Sequence, residues 1–185
     1  MLQLYLVRHG QTEENAAHIL QGHMPGHLSA EGRQQIEDLS QRLAQTHFDV
    51  LISSDLKRCT DSAAILNRPH NLNILTTPLL RERDWGPFTG TNILAKRISI
   101  DNRAETTQQL LGRAAQFLTH VATCHPDTRI LIVSHGLILR AIQSLCLHKS
   151  MHVIPRMQNA ELRILTAMPP FHASDLIPAM QPSEN

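Results

Sequence analysis

Three short apolar runs, each ending at a turn that carries or leads to a basic residue, constrain this chain more than any other feature. Leu4-Tyr5-Leu6-Val7 leads into Arg8-His9-Gly10. Val50-Leu51-Ile52 leads into Ser53-Ser54, with Arg58 one turn further on. Ile130-Leu131-Ile132-Val133 leads into Ser134-His135-Gly136. Short apolar runs bounded by turn residues and followed by helical periodicity read as buried parallel strands. In open α/β sheets, ligands bind just beyond the carboxyl ends of the strands. The pattern therefore predicts two arginines and two histidines gathered at one edge of one sheet. Such an edge is a pocket for an anion, with imidazoles available for chemistry.

The rest of the chain supplies the helices that this sheet needs. A polar loop from Gly10 to His27, broken by Gly22, Pro25 and Gly26, follows the first strand, at about residues 2–7. Ser29 reads as an N-cap with Glu31 in the first turn, and Ile36, Leu39 and Leu43 form the buried stripe of a helix. After a strand at about 48–52, Ser54 reads as an N-cap and Asp55 suits the positive end of a helix dipole. Leu56, Cys59, Ala63 and Leu66 make that helix's buried face, with Arg58 projecting off it. Asn73 to Thr76 reads as a short strand, and the two glycines and one proline of 84–90 exclude regular structure there. Leu110, Leu111, Ala114, Phe117, Leu118 and Val121 mark a third helix. Leu137, Ile138, Ala141, Ile142 and Leu145 are the inward face of a fourth. A last strand near 160–166 alternates Leu162 and Ile164 against Glu161 and Arg163, as an edge or half-buried strand does. Strand–helix alternation predicts the α/β class: a three-layer α/β/α sandwich with a mostly parallel sheet. A single domain spanning 1–185 is expected, with short cap segments at about 10–28 and 83–104. A loosely ordered tail is expected from about 168, where Pro169, Pro170, Pro178 and Pro182 cluster.

Formal net charge is +1, so no global field draws the chain to nucleic acid or to an anionic membrane, and anion preference must be local. No apolar stretch reaches the roughly 18–20 residues needed to span a bilayer, and Met1-Leu2-Gln3 enters a strand without a secretory signal pattern. Three cysteines, Cys59, Cys124 and Cys146, form neither a disulfide framework nor a zinc spacing, so a cytoplasmic location is expected. Most of the twelve histidines fall at helix ends or in loops, and none forms a His-x-x-x-His pair with a nearby carboxylate on an apolar helix. Neither a metal site nor a cofactor is expected. Oligomeric state is not fixed by the sequence; a homodimer is compatible with it.

Arg8, His9, Arg58 and His135 taken together specify the chemistry. Two guanidiniums offer rigid forks of N–H donors that match phosphoryl oxygens, and their mutual repulsion is relieved by a dianion rather than by a carboxylate. Gly10 and Gly136 each follow a histidine and let backbone pass close to a ligand. The helix starting near Gly136 would point free N–H groups at the same anion. A neutral imidazole whose other N–H is held by a backbone carbonyl has an aimed nucleophilic nitrogen; in-line attack on phosphorus gives a phosphohistidine. The leaving alkoxide needs a proton, and Glu82 is the best-placed donor, because its Gly-rich loop can carry it over the pocket. Each fragment alone is ordinary; their joint order on matching elements carries the argument.

That order resembles the histidine phosphatase superfamily, also called the phosphoglycerate mutase-like family. Leu6-Val7-Arg8-His9-Gly10-Gln11-Thr12-Glu13-Glu14-Asn15 looks like its opening signature, and Ser53 to Ala63 is similar to its second block. Leu80-Arg81-Glu82 with Gly86 and Gly90 resembles its acid loop, and Val133-Ser134-His135-Gly136 its last block. The resemblance implies that His9 is the phosphorylated nucleophile, that Arg8, Arg58 and His135 bind the phosphoryl group, and that Glu82 donates the proton. It further implies that Asn15 contacts phosphate, that Gln21 and Gly22 contact phosphate or the substrate body, and that no metal is needed. Ala104-Glu105-Thr106 stands where the family often has Gly-Glu-Ser. Mutase members carry a longer insertion after the acid loop, whereas here only residues 91–104 separate Gly90 from the helical pattern. A short cap admits water to phosphohistidine, which favours hydrolysis of a small phosphorylated substrate. Phosphoglycerate mutase activity and a non-catalytic phospho-ligand-binding role are the competing readings. Trp85 and Phe88 either stack on the substrate or pin their own loop.

Overall fold

A computed structural model describes residues 1–94 and 99–173 of the chain. Five strands form one sheet in the order β3-β2-β4-β1-β5. They are β1 (Leu2–Arg8), β2 (Val50–Ser54), β3 (Ile74–Thr77), β4 (Arg129–Ser134) and β5 (Leu162–Ala167). All neighbours are parallel except β5, which runs antiparallel to β1. The helices are α1 (Glu13–Ala16), α2 (Ala30–Leu43), α3 (Lys57–Leu66), α4 (Thr107–Cys124) and α5 (Gly136–Leu147).

The strands read as unbroken apolar runs because successive side chains serve two cores. Leu4 and Leu6 of β1, with Ile130 and Ile132 of β4, pack beneath α4 and α5. Tyr5 and Val7, with Leu131 and Val133, pack beneath α2 and α3. The period of two within a strand thus divides each run between the outer layers. The α/β/α sandwich and its mostly parallel sheet are as the alternation predicts.

Several local expectations are corrected. Ser54 is not an N-cap: α3 starts two residues later than that reading requires, with Leu56 at the cap position and no side-chain cap. As the last residue of β2, Ser54 turns its hydroxyl to the His135 ring (2.9 Å). Residues 86–88 form one turn of 3-10 helix inside the loop expected to be irregular. Gly86 adopts φ +52° there, and a Cβ would lie 2.3 Å from the Arg103 carbonyl oxygen, so this turn needs glycine. In β5, Ile164 is exposed, while Leu162 and Leu165 reach the two cores. Leu137 is half-buried rather than fully inward. The tail is not loose at its start: Phe171 is buried in the α4/α5 core. Pro178 and Pro182 lie outside the described residues, as do 95–98 within the second cap segment. Among the described residues no helix is long and apolar enough to cross a membrane, and no group of three His, Cys, Asp or Glu is arranged to hold a metal ion.

Candidate active site

Register fixes the floor of the site. Arg8, the last residue of β1, pairs with Ser134, the last of β4, while Ser53 of β2 pairs with Val133. Residues 9, 55–58 and 135 therefore leave the sheet side by side at its carboxyl edge. A cavity of about 250 Å³ opens there, and its lining includes Arg8, His9, Asn15, Gln21, Gly22, Arg58, Glu82 and Gly136. Its volume lies just below the range for drug-sized ligands and suits a small metabolite. Of the nine site residues expected from the sequence, only His135 does not line it.

His9 is almost fully buried, and its Nδ1 sits 2.7 Å from its neighbour's carbonyl, Gly10 O. A carbonyl can only accept, so Nδ1 carries the proton and the lone pair is on Nε2. Burial first, then the charges of Arg58 and Arg8, push the His9 pKa well below its ordinary value, so the ring is neutral at pH 7. Gly10 itself does not face a ligand. A Cβ there would lie 2.3 Å from Gly32 O of α2, so the residue allows helix and loop backbones to touch.

Arg58 is the largest fully buried side chain of the protein. Its Nη2 donates to Gly22 O (2.8 Å), its Nη1 to the carbonyls of Met24 and Pro25, and its Nε to His135 Nδ1 (3.2 Å). Of five guanidinium hydrogens these bonds engage four, leaving one on Nη2 toward the cavity. Gly22 (φ +50°) contributes through its carbonyl. The same geometry joins His135, expected to bind the phosphoryl group, to Arg58. Its Nδ1 accepts from Arg58 and its Nε2 donates to Ser54, so a fully buried ring reaches the cavity only through Arg58 and through an edge contact on His9 (centroids 5.2 Å). Burial, then Arg58, holds its pKa far below the usual histidine value.

Arg8 donates through Nη1 to Met157 O (2.7 Å), while its Nε is buried without a partner. A buried unpaired donor costs on the order of 1–3 kcal/mol, a cost that an anionic oxygen at the site would remove. Asn15 belongs to the capping box of α1; its Oδ1 accepts from Thr12 N and from Asn159 Nδ2, leaving its Nδ2 hydrogens for the cavity. Gln21 donates to Thr12 Oγ1 (2.8 Å), and its buried Oε1 has no partner. That oxygen is packed against Gly26.

Glu82 is held at the opposite wall. Its Oε1 accepts from Leu137 N (3.1 Å) and Arg83 N (2.9 Å). The N-terminus of α5, expected to face the anion, therefore grips this carboxyl group instead. At Gly136 a Cβ would make ordinary contacts, 3.6–3.7 Å, with Arg8 Nε and Glu82 Oε2, which places the residue between the two groups. Arg113 of α4 fixes the Glu82 backbone. It donates to the carbonyls of Leu79, Arg81 and Glu82, and pairs with Glu105 (2.8 Å), both side chains being mostly buried. Glu105 in turn accepts from Asp84 N (3.0 Å) through its carboxyl group and from Arg83 Nε (2.6 Å) through its backbone carbonyl. Arg81 pairs with Asp55, and His23 Nε2 donates to Glu82 O (3.0 Å). Trp85 lies under Arg83 of its own loop, 4.7 Å from the guanidinium carbon, and also lines the cavity. Phe88 packs under Arg103 and is absent from the lining.

Sequence reasoning missed Asn159, Arg113, His23, His18, Arg156 and Met157. Asn159 Nδ2 bridges His9 O (3.1 Å) and Asn15 Oδ1 (3.2 Å), while His18, Arg156 and Met157 line the cavity. Arg156, Met157 and Asn159 share the segment before β5, and the others come from separate segments with no local pattern. Only the Glu105 position carried a signal.

The family model of the histidine phosphatase superfamily (branch 1) matches residues 4–169. A probable phosphoglycerate mutase GpmB of Proteus mirabilis is 32% identical over 159 residues, covering 78% of this chain and 74% of that protein. The broad-specificity phosphatase YOR283W of Saccharomyces cerevisiae is 30% identical over 158 residues, covering 77% and 69%. Among solved structures, a mycobacterial glucosyl-3-phosphoglycerate phosphatase with bound VO3 superposes with a TM-score of 0.81 at 24% identity, covering 89% of this chain and 92% of that one. YhfR of Bacillus stearothermophilus gives 0.81 at 23% identity, covering 89% and 90%. At those identities the structural likeness speaks to fold.

Proposed function

The chain belongs to the histidine phosphatase superfamily (branch 1), and from that premise we propose that it is a phosphomonoester hydrolase acting on a small phosphorylated metabolite through a phosphohistidine at His9. One observation carries the reading: a neutral His9 with Nδ1 locked on Gly10 O and Nε2 free, in a cavity shared with two guanidiniums and one carboxyl group. In the first step the Nε2–P bond forms and the ester P–O bond breaks, while protonated Glu82 gives its proton to the leaving oxygen. Arg8, Arg58 and Asn15 donate to the phosphoryl oxygens as charge spreads over them in the transition state. In the second step water attacks phosphorus, Glu82 takes the water proton, and the Nε2–P bond breaks to release inorganic phosphate. His135 holds Arg58 in position. No step requires a metal.

A second reading, phosphoryl return to another hydroxyl as in a mutase, draws support from the 32% identical relative named for that activity. Release of inorganic phosphate from p-nitrophenyl phosphate in EDTA, abolished by His9→Ala, is the expected outcome. Undiminished release in that variant contradicts the reading. Interconversion of 2- and 3-phosphoglycerate faster than hydrolysis establishes the mutase instead.

A further inference from the structure

The outer wall of the cavity carries a positive charge that the steps above do not use. Arg156 lies in the segment between the 3-10 turn Met151–Val153 and β5, and it lines the cavity with Met157 and Leu137. The segment is rigidly placed. Arg8 Nη1 donates to Met157 O, Arg163 donates to Pro155 O (3.0 Å) and Arg156 O (3.2 Å), and Ile154 and Met157 are buried. The Arg156 side chain, by contrast, has no ion pair or hydrogen bond among the described residues. The acid nearest in sequence, Glu161, is engaged by Arg163 (2.7 Å) and by Gln158 N. Arg156 disfavours the charged forms of Arg8 and Arg140. An exposed arginine is ordinarily a solvated one. Here it stands at a binding cavity, near other cations and without an acid.

Charge balance says what would answer it. When Glu82 holds the proton that it must give, and His9 is neutral, the lining carries three positive charges, on Arg8, Arg58 and Arg156. A phosphoryl group supplies about −1.5 to −2 and faces Arg8 and Arg58. The third charge is then unmatched, and it lines the same cavity as the apolar side chains of Leu137 and Met157, available to the alcohol part of a phosphomonoester. A planar guanidinium is matched by a carboxylate, which it can bind through two parallel hydrogen bonds.

We propose that Arg156 is a specificity-determining residue that binds a carboxylate on the alcohol portion of the substrate, so that the enzyme prefers small phosphomonoesters bearing a second anionic group. The inference rests on the hydrolase reading above, and its test separates the two. The rates kcat/KM are measured for 2-phosphoglycolate and for 2-hydroxyethyl phosphate, esters of similar size that differ in the distal group, with p-nitrophenyl phosphate as a general probe. Wild type is expected to favour phosphoglycolate by roughly 10- to 100-fold, the effect of one charge-assisted hydrogen-bonded pair. That ratio should collapse toward one in Arg156→Gln, survive in part in Arg156→Lys, invert in Arg156→Glu, and depend on ionic strength in all but Arg156→Gln. Turnover of both esters at equal efficiency, or a preference that Arg156→Gln leaves intact, overturns this inference while the hydrolase reading stands. Failure of wild type to release phosphate from any of the three overturns the hydrolase reading and this one with it.

Discussion

The two walls of the cavity are built by different means. The floor is a product of sheet register: Arg8, His9, Ser54 and His135 lie within a residue of a strand end, and hydrogen bonds between adjacent strands set their spacing. The acid wall has no strand beneath Glu82. It is a loop cross-linked by side chains from remote positions, Glu105 just before α4 and Arg113 within it, Asp55 from the turn after β2, and His23 from the first cap segment. The floor is costly to change because its groups share partners. The acid wall is several separate ties around one carboxyl group, so it should weaken by degrees and chiefly in the proton-transfer part of the reaction.

The sharpest break between the walls is Glu82→Gln. Loss of general-acid help should cost about 10²- to 10⁴-fold for an alkyl phosphate and far less for p-nitrophenyl phosphate, whose leaving group needs no proton. Equal losses on both substrates contradict the role. Arg58→Lys should cost about 10²- to 10³-fold on both substrates alike. Lysine cannot serve Gly22, Met24, Pro25 and His135 together, so a leaving-group-independent fall in kcat/KM is the expected signature. Arg113→Gln should reproduce the pattern of Glu82→Gln at about tenfold, and adding it to Glu82→Gln should cost little more, since both act on one group. A loss that is the same for both leaving groups would make Arg113 merely structural.

How legible each wall was in the sequence follows from the same contrast. A strand end places consecutive residues, so Leu6-Val7-Arg8-His9 and Val133-Ser134-His135 announce the floor as local patterns. Ser29 capping α2 was readable for the same reason. Where one residue serves a non-local partner, local rules fail. Ser54 looks like a cap and instead holds His135, and Gly10 looks like a ligand-facing glycine and instead makes room for Gly32. Phe171 follows two prolines yet enters the core. Ties of the acid wall such as Arg83–Glu105, Arg113–Leu79 and His23–Glu82 bridge 22, 34 and 59 residues, and no spacing rule reaches that far.

The smallest expected effect concerns acid stability. His9 and His135 both have folded-state pKa values depressed by burial. Above about pH 6.5 neither state is protonated and the two residues contribute nothing. Below that value the unfolded chain takes up protons that the folded chain refuses, so stability falls with falling pH. Tm should therefore drop between pH 7 and pH 5, with a shallower slope in His135→Gln. A wild-type Tm that holds or rises over that interval contradicts the assignment of neutral buried histidines.

The central claim is that the His9 ring bonds covalently to phosphorus, and quenching answers it directly. Wild-type protein mixed with excess substrate and denatured in alkali within the first turnovers should carry one phosphoryl group, acid-labile and base-stable, that maps to the peptide containing Arg8-His9-Gly10. A phosphoryl group on any other residue, or steady phosphate release with no phosphoprotein detectable under conditions that preserve phosphohistidine, contradicts the account.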